Sequence, residues 1–274
     1  MKNAALKKIG LGLLWAIWTC LVLFLVQRLF ALILSGLFHI LPFQISSAAA
    51  QTIFSVLSYA FSILIILEAP KSIAKLVHKK FPKIKSGNFG VTKSDLGLNE
   101  LPTWTDIGLA PVGLVVYAIL AAVLTSLFSI FPWFNASETQ DVGFNTLLLA
   151  SDRVFAFATL VIIAPVAEEL IFRGFLYQKI KALFFREKSS EKPNRKSTKK
   201  SEITAIIIAT FITSLAFGIM HGQWNVGVNV FAMSVVLCIM REITGSIYSG
   251  ILMHMLKNMV AFYLLYIATI GFWW

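Results

Sequence analysis

The chain has 274 residues, of which 58% are hydrophobic and only 14% are charged. Soluble domains contain about 45–50% apolar and about 25% charged residues, so this composition excludes an ordinary soluble domain and predicts a polytopic membrane protein. Because the apolar runs are continuous rather than alternating, we expect an all-α transmembrane helical bundle and not a membrane-spanning β-barrel.

The net charge of +11 could suggest a nucleic-acid partner, but the positions of the basic residues argue against one. Most lysines and arginines fall in three stretches: residues 2–8, 71–93 and 179–200. Clusters of this kind mark the cytoplasmic loops of membrane proteins. We therefore predict the lipid bilayer as a partner, with the lysines near anionic headgroups, and no nucleic acid.

Apolar runs long enough to cross a bilayer predict about seven spans. Arg28 interrupts the first run, so we expect one long or broken helix there, and Glu68 and Pro70 are expected to end the second span. In chain order, the predicted spans are residues 9–43, 51–67, 106–131, 152–177, 203–221, 226–240 and 247–272.

Alternation of these spans places all three basic stretches on one side of the membrane. The charge rule then puts the N-terminus in the cytoplasm and the C-terminus outside it. We divide the chain into two regions. Residues 1–105 hold the N-terminal spans and a basic cytoplasmic loop, and residues 106–274 form a helical core with a mobile basic loop at about 179–202.

Ionisable residues inside a membrane cost about 2.5–3.5 kcal/mol on insertion scales, which makes each of them a functional candidate. The second half of the chain contains few of them, and three amide side chains lie nearby. The ionisable residues are Glu168, Glu169, Arg173, His221, His254 and Lys257, and the amides are Asn225, Asn229 and Asn258.

Helix geometry separates the two adjacent glutamates of "APVAEELIFRGFLY" at residues 164–177. Glu169 and Arg173 are four residues apart, so they face each other and can form a buried ion pair. Glu168 points about 100° away and has no cation at that spacing. We expect Glu169 to be structural and Glu168 to act as a general base or acid. An ion-pair latch without chemistry is the alternative interpretation.

Two further spans present polar residues at helical spacing. His254 and Asn258 are four residues apart in "HMLKN", and Phe217 precedes His221 by four in "FGIMH". A glutamate and a histidine can together deprotonate a water, and a histidine and an asparagine can stabilise an oxyanion. This combination predicts peptide hydrolysis without a covalent intermediate and with no required cofactor.

The same residues leave other interpretations open. Glu168, His221 and His254 form the type of ligand set that holds a divalent metal such as zinc, although the compact His-Glu-x-x-His motif is absent. A lone membrane histidine such as His221 can also serve only as a hydrogen-bonding contact between helices.

These motifs resemble those of the CPBP intramembrane proteases, which include the type II CAAX prenyl endopeptidases and bacteriocin-processing or self-immunity proteins. The family pattern is Glu-Glu-x-x-x-Arg, then Phe-x-x-x-His, then His-x-x-x-Asn, and its counterparts here are "EELIFR", "FGIMH" and "HMLKN". The resemblance makes residues 106–274 a CPBP-like catalytic core. It implies that Glu168 and His221 activate the water while His254 and Asn258 stabilise the oxyanion. The implied supporting residues are Glu169, Arg173 and Phe217.

The resulting expectation is an intramembrane endopeptidase of a bacterial plasma membrane, acting on a membrane-embedded or lipid-anchored peptide or protein. A non-catalytic immunity or scaffold protein could keep the same residues without turnover, and a proton-coupled transporter could also use them. No internal repeat of the transporter kind is visible, which disfavours the last interpretation.

The position of Glu168 along its span predicts the depth of the site. Glu168 precedes Lys179 by about ten residues, or about 16 Å along a helix, which indicates the cytoplasmic half of the bilayer with water entering from the lysine-rich side. His221 must reach the same depth as His254, so we expect the fifth span to extend into the cytoplasm.

Overall fold

The computed structural model describes residues 2–40, 45–81, 90–138, 142–144, 147, 149–185 and 195–268. This part of the chain is helical and contains no β-strand, which confirms the predicted all-α fold. In chain order the helices are α1 Lys2–Ile40, α2 Ser47–Lys80, α3 Lys93–Leu96, α4 Trp104–Phe128, α5 Ala150–Phe184, α6 Arg195–Ile219, α7 Trp224–Thr244 and α8 Tyr248–Tyr266.

Six of the described helices are long and apolar enough to cross a membrane, namely α1, α2, α4, α5, α6 and α7. The last predicted span corresponds to α8, which falls outside this set because its polar residues lower its mean hydropathy. Buried side chains of α8, including Met253 and His254, nevertheless pack inside the bundle. The result agrees roughly with the seven predicted spans, and the chain is an integral membrane protein.

The first two helices are longer than the sequence suggests. α1 passes through Arg28 without a break, and the guanidinium group of this residue lies 5.1 Å from the Phe24 ring centroid. The prediction that Glu68 and Pro70 end the second span is wrong, because α2 continues to Lys80. Basic residues in its last turn favour this extension, since cations stabilise the C-terminal end of a helix dipole.

The start of α4 explains a buried carboxylate of the predicted third span. Asp106 is 1% exposed, and its Oδ2 accepts hydrogen bonds from the Thr103 backbone N–H and hydroxyl, both at 2.8 Å. The Thr103 hydroxyl accepts the Asp106 N–H in return, completing a capping box. Asp106 therefore caps the start of the helix, which begins at Trp104. The predicted boundary between the two regions falls at this point, yet both regions contribute side chains to one buried core.

α5 is the central helix, and its backbone is irregular around the glutamates. Two π-helical segments, Ala158–Ile163 and Leu170–Leu176, bracket the six α-helical residues Ala164–Glu169. π-Helical turns are rare and occur frequently at functional sites, because they change which side chains face a given direction. Here they determine how Glu168 and Glu169 face the rest of the bundle.

The segment 179–202, predicted as a basic loop, is helical at both ends. α5 continues to Phe184, α6 begins at Arg195, and residues 186–194 lie outside the described residues. The start of α6 eight residues before position 203 agrees with the expected extension of the fifth span. At its other end, a Cβ on Gly218 would lie 2.8 Å from the Gly227 carbonyl oxygen, so the two glycines allow α6 and α7 to approach closely.

The predicted orientation in the membrane can be tested by thiol labelling. Ser137 and Ser201 are both exposed, and they lie on opposite ends of the bundle. In a variant with Cys20 and Cys238 replaced by Ala, we expect an impermeant maleimide to label Ser137→Cys in intact cells that express the protein. Ser201→Cys should be labelled only after permeabilisation. The reverse pattern would place the N-terminus outside the cell.

Candidate active site

A cavity of about 500 Å³ lies between α1, α2, α5, α6, α7 and α8. The structure brings the four residues predicted to carry chemistry to the wall of this one cavity, although they come from α5, α8 and the turn after α6. The four residues are Glu168, His221, His254 and Asn258.

Glu169 and Arg173 form the ion pair expected from their spacing. Arg173 Nη1 lies 2.9 Å from Glu169 Oε1, and the two side chains are 1% and 0% exposed. The guanidinium group also lies 4.4 Å from the ring centroid of Phe217. A Cβ on Gly250 would lie 3.0 Å from Glu169 Oε2, so the glycine leaves space for this carboxylate.

His254 connects the two glutamates, a contact that the sequence analysis missed. Its Nδ1 lies 3.0 Å from Glu169 Oε1, and its Nε2 lies 3.8 Å from Glu168 Oε2. An ionised carboxylate can only accept a hydrogen bond, so Nδ1 is the protonated nitrogen in this contact. In the neutral ring, Nε2 then carries a lone pair and faces Glu168.

Tyr59 of α2 contacts the candidate base, and sequence reasoning missed it as well. Its hydroxyl donates a 2.6 Å hydrogen bond to Glu168 Oε1. This contact joins the N-terminal region to the second half of the chain. A signal was present in the sequence, because serines recur beside Tyr59 at helical spacing in an otherwise apolar span.

His221 is fixed by the residue predicted to support it. Its Nδ1 donates to the Phe217 carbonyl oxygen at 2.9 Å, which leaves Nε2 with the lone pair in the neutral ring. The Phe217 ring contacts both histidines, with centroid distances of 5.0 Å to His221 and 6.1 Å to His254. Phe217 therefore packs against both imidazoles and helps to fix their positions.

Asn258 forms a hydrogen bond with the π-helical part of α5. Its Nδ2 donates a 2.8 Å hydrogen bond to the Leu160 carbonyl oxygen, which belongs to the first π-helical segment. A primary amide has two N–H donors, so one remains for the cavity. The other candidate amides lie elsewhere: Asn229 accepts the Tyr117 hydroxyl, and Asn225 donates to the Glu138 carbonyl oxygen at 2.7 Å.

Lys257 lies beside these groups on α8 and lines the same cavity. Its ammonium group makes no hydrogen bond or ion pair within 4 Å to the rest of the described chain. An intramembrane lysine facing a cavity is a functional candidate because its burial is costly.

The possible zinc ligands Glu168, His221 and His254 all line the cavity, but they do not form a cluster that could hold one ion. In the described part of the chain, no three His, Cys, Asp or Glu side chains are close enough to hold one ion. The lone pairs on the two Nε2 atoms have the chemistry of zinc ligands, so a metal at Glu168, His221 and His254 stays a prediction.

The cavity extends from the candidate base toward one end of the helices. That end is lined by Gln51 near the start of α2, Val142, Phe144 and Tyr266 near the end of α8, and we call it the far end. It lies toward the start of α2 and of α5, whereas Lys79 and Lys179 lie toward the ends of these helices. Entry of water from the lysine-rich side stays a prediction.

The fold and the cavity together define a polytopic membrane protein with an intramembrane carboxylate–histidine site. Residues 150–260 match the model of the Rce1-like family, described as type II CAAX prenyl endopeptidase Rce1-like. The match contains every residue of the three motifs, and it confirms the family resemblance seen in the sequence. The matched family is one of CAAX-type membrane proteases.

A curated relative supports the same assignment. The chain is 28% identical over 174 residues to the membrane-embedded CAAX protease MroQ of Staphylococcus aureus (strain USA300). The aligned region covers 61% of this chain and spans 61% of the relative's length. No solved structure matches the chain at a significant level.

Proposed function

We propose that the protein is an intramembrane endopeptidase that hydrolyses a peptide bond of a membrane-embedded or lipid-anchored substrate. The observation that carries the proposal is the contact of His254 with both glutamates at the wall of a cavity inside the bundle. His254 Nδ1 is 3.0 Å from Glu169 and Nε2 is 3.8 Å from Glu168. A buried carboxylate that orients a histidine toward a second carboxylate is typical of a site that moves protons.

Glu168 is the base in this mechanism. A water beside Glu168 Oε2 and His254 Nε2 can donate one hydrogen bond to each group, since both atoms carry lone pairs. Glu168 takes the proton as the water oxygen attacks the peptide carbonyl carbon. His221 presents its own Nε2 lone pair and can replace His254 as the second acceptor of the water, in the role expected from the sequence.

The tetrahedral oxyanion needs donors that are free in the cavity. The second N–H of Asn258 is one, and the ammonium group of Lys257 is another. His254 donates from Nε2 only when the ring is doubly protonated, so its predicted role as an oxyanion donor requires that state. Protonated Glu168 then gives its proton to the leaving nitrogen as the C–N bond breaks, and the products are a carboxylate and an amine.

The test is a search for hydrolysis by the purified protein. The protein in detergent micelles is incubated with a library of apolar membrane peptides in H₂¹⁸O, and the products are identified by mass spectrometry. We expect new C-terminal carboxylates that carry one ¹⁸O atom. A wild-type protein that cleaves no peptide, while folded and stable, would favour the non-catalytic scaffold or immunity interpretation.

Tyr59 offers a second prediction. Tyr59→Phe should lower kcat by about tenfold and leave KM nearly unchanged, because a hydrogen bond to a charged group is worth about 1.5–3 kcal/mol and this one orients the base. The matched control is Tyr117→Phe, which removes a hydroxyl that contacts Asn229 instead. Equal losses in the two variants would show that Tyr59 has no special role.

A further inference from the structure

The α2 helix carries a polar face in an otherwise apolar span. Its members repeat at intervals of four, three and four residues, so they lie on one side of the helix. They are Gln51, Ser55, Ser58 and Ser62, with Tyr59 beside them. The serines are buried: Ser55 is 8%, Ser58 2% and Ser62 0% exposed. Three of these residues line the cavity, and we call residues 51, 55 and 58 the α2 polar face.

The α2 polar face runs from the far end of the cavity to the candidate base. Gln51 lies at the far end beside Gly143, Ser55 and Ser58 line the wall, and Tyr59 reaches Glu168. Eight residues separate Gln51 from Tyr59, which is about 12 Å along a helix. An extended peptide rises about 3.3 Å per residue, so this length accommodates about four substrate residues.

Ser58 is the observation that points to a ligand. Its hydroxyl is buried and has no hydrogen-bond partner among the described residues. Serine in a helix can usually bond the carbonyl oxygen one turn earlier, as threonine does at position 52, where the hydroxyl bonds the Ala48 carbonyl oxygen at 2.9 Å. An unpaired buried hydroxyl is unfavourable, and this one belongs to a residue that lines the cavity.

The chemistry of proteolysis in a membrane supplies the missing partner. A peptide bond must leave its helix before water can attack it, and the freed N–H and C=O groups need hydrogen bonds where bulk water is absent. Hydroxyl and amide side chains can both donate and accept such bonds. We propose that the α2 polar face is a binding subsite for the main chain of an unwound peptide, with the Ser58 hydroxyl bonded to a peptide group near the scissile bond.

This inference rests on the proposed function, but its test measures binding and needs no turnover. The protein carries Glu168→Gln, so that the probe is not consumed. The probe is a dansyl-labelled decapeptide of Leu and Ala, accompanied by a series in which one amide at a time is replaced by an ester. An ester lacks the N–H donor and has a weaker C=O acceptor, and its side chain is unchanged. Fluorescence anisotropy in micelles gives the affinities.

We expect Ser58→Ala to weaken binding of the all-amide peptide by about 3- to 10-fold. One ester position should weaken binding to the Ser58 protein by a similar factor. The ester and Ser58→Ala together should then cost no more than either change alone, because they remove the same contact. Ser62→Ala is the matched control, since Ser62 is equally buried and unpaired but does not line the cavity.

Three results would overturn the inference: no binding of the decapeptide, equal affinities of the Ser58→Ala and Ser62→Ala variants, or independent effects of Ser58→Ala and every ester. Failure of the proposed function is seen separately, as absence of hydrolysis by the wild-type protein. A protein that binds the peptide through Ser58 but never cleaves it would keep the inference and refute the protease.

Discussion

Glu168→Gln is expected to lower peptide hydrolysis by about 10²–10⁴-fold, the range that general acid–base catalysis contributes. The amide of glutamine has nearly the shape of the carboxylate and can still accept the Tyr59 hydroxyl, which donates to Glu168 at 2.6 Å. It cannot take a proton from water. We therefore expect a folded variant whose substrate KM is close to that of the wild type.

The measurement is the hydrolysis rate of a peptide cleaved by the wild-type protein, with thermal unfolding in detergent as the check on folding. Glu68→Gln is the matched control, because Glu68 is a carboxylate on α2 that pairs with Lys71 in an exposed contact. That variant should keep full activity. Hydrolysis by Glu168→Gln at the rate of the control would remove Glu168 from the mechanism.

Glu169→Gln is expected to destabilise the protein and to impair catalysis. Removing one partner of a buried ion pair costs about 3–5 kcal/mol, and Arg173 would be left 1% exposed without a counter-charge. Activity should fall as well, since a glutamine can present either its oxygen or its NH₂ group to His254 Nδ1. The sequence alone predicted mainly the loss of stability. The contact of Glu169 with His254 adds the loss of activity.

A double variant separates the two effects. Glu169→Gln with Arg173→Met removes both charges and should recover part of the unfolding free energy, while the activity stays low because His254 is still not oriented. The exposed pair provides the reference: Lys71→Met should change the unfolding free energy by no more than about 1 kcal/mol. If Glu169→Gln unfolds at the wild-type temperature, the buried pair is not a major source of stability.

The sequence contained enough information to predict the helices and the meeting of the motifs. The pairing of Glu169 with Arg173 follows from their spacing of four, and charged or polar residues in apolar spans must turn inward because lipid cannot solvate them. His221, His254 and Asn258 share one cavity for that reason. Local spacing and burial cost are properties of single helices, and a single sequence reports them.

Contacts between distant helices could not be predicted in the same way. The Tyr59 hydroxyl reaches Glu168 across 109 positions of sequence, and Asn258 reaches the Leu160 carbonyl oxygen across 98. Such contacts depend on how the helices rotate and pack. The extent of the cavity depends on the same packing, because the distance from Glu168 to the nearest lysines along one helix does not reveal where neighbouring helices leave space.

The two π-helical segments of α5 also determine how the chain can vary in length. A π turn is equivalent to one residue inserted into an α-helix, and each residue of an α-helix turns the following ones by about 100°. Loss of one residue within 158–163 would let that segment become α-helical and would rotate Glu168 and Glu169 out of their places. Loss of a residue from the exposed segment 135–137 would leave them unchanged. Among the described helices, a change in length is therefore tolerated according to whether it rotates the site residues, and the positions of the two glutamates fix the length of the stretch between residues 158 and 176.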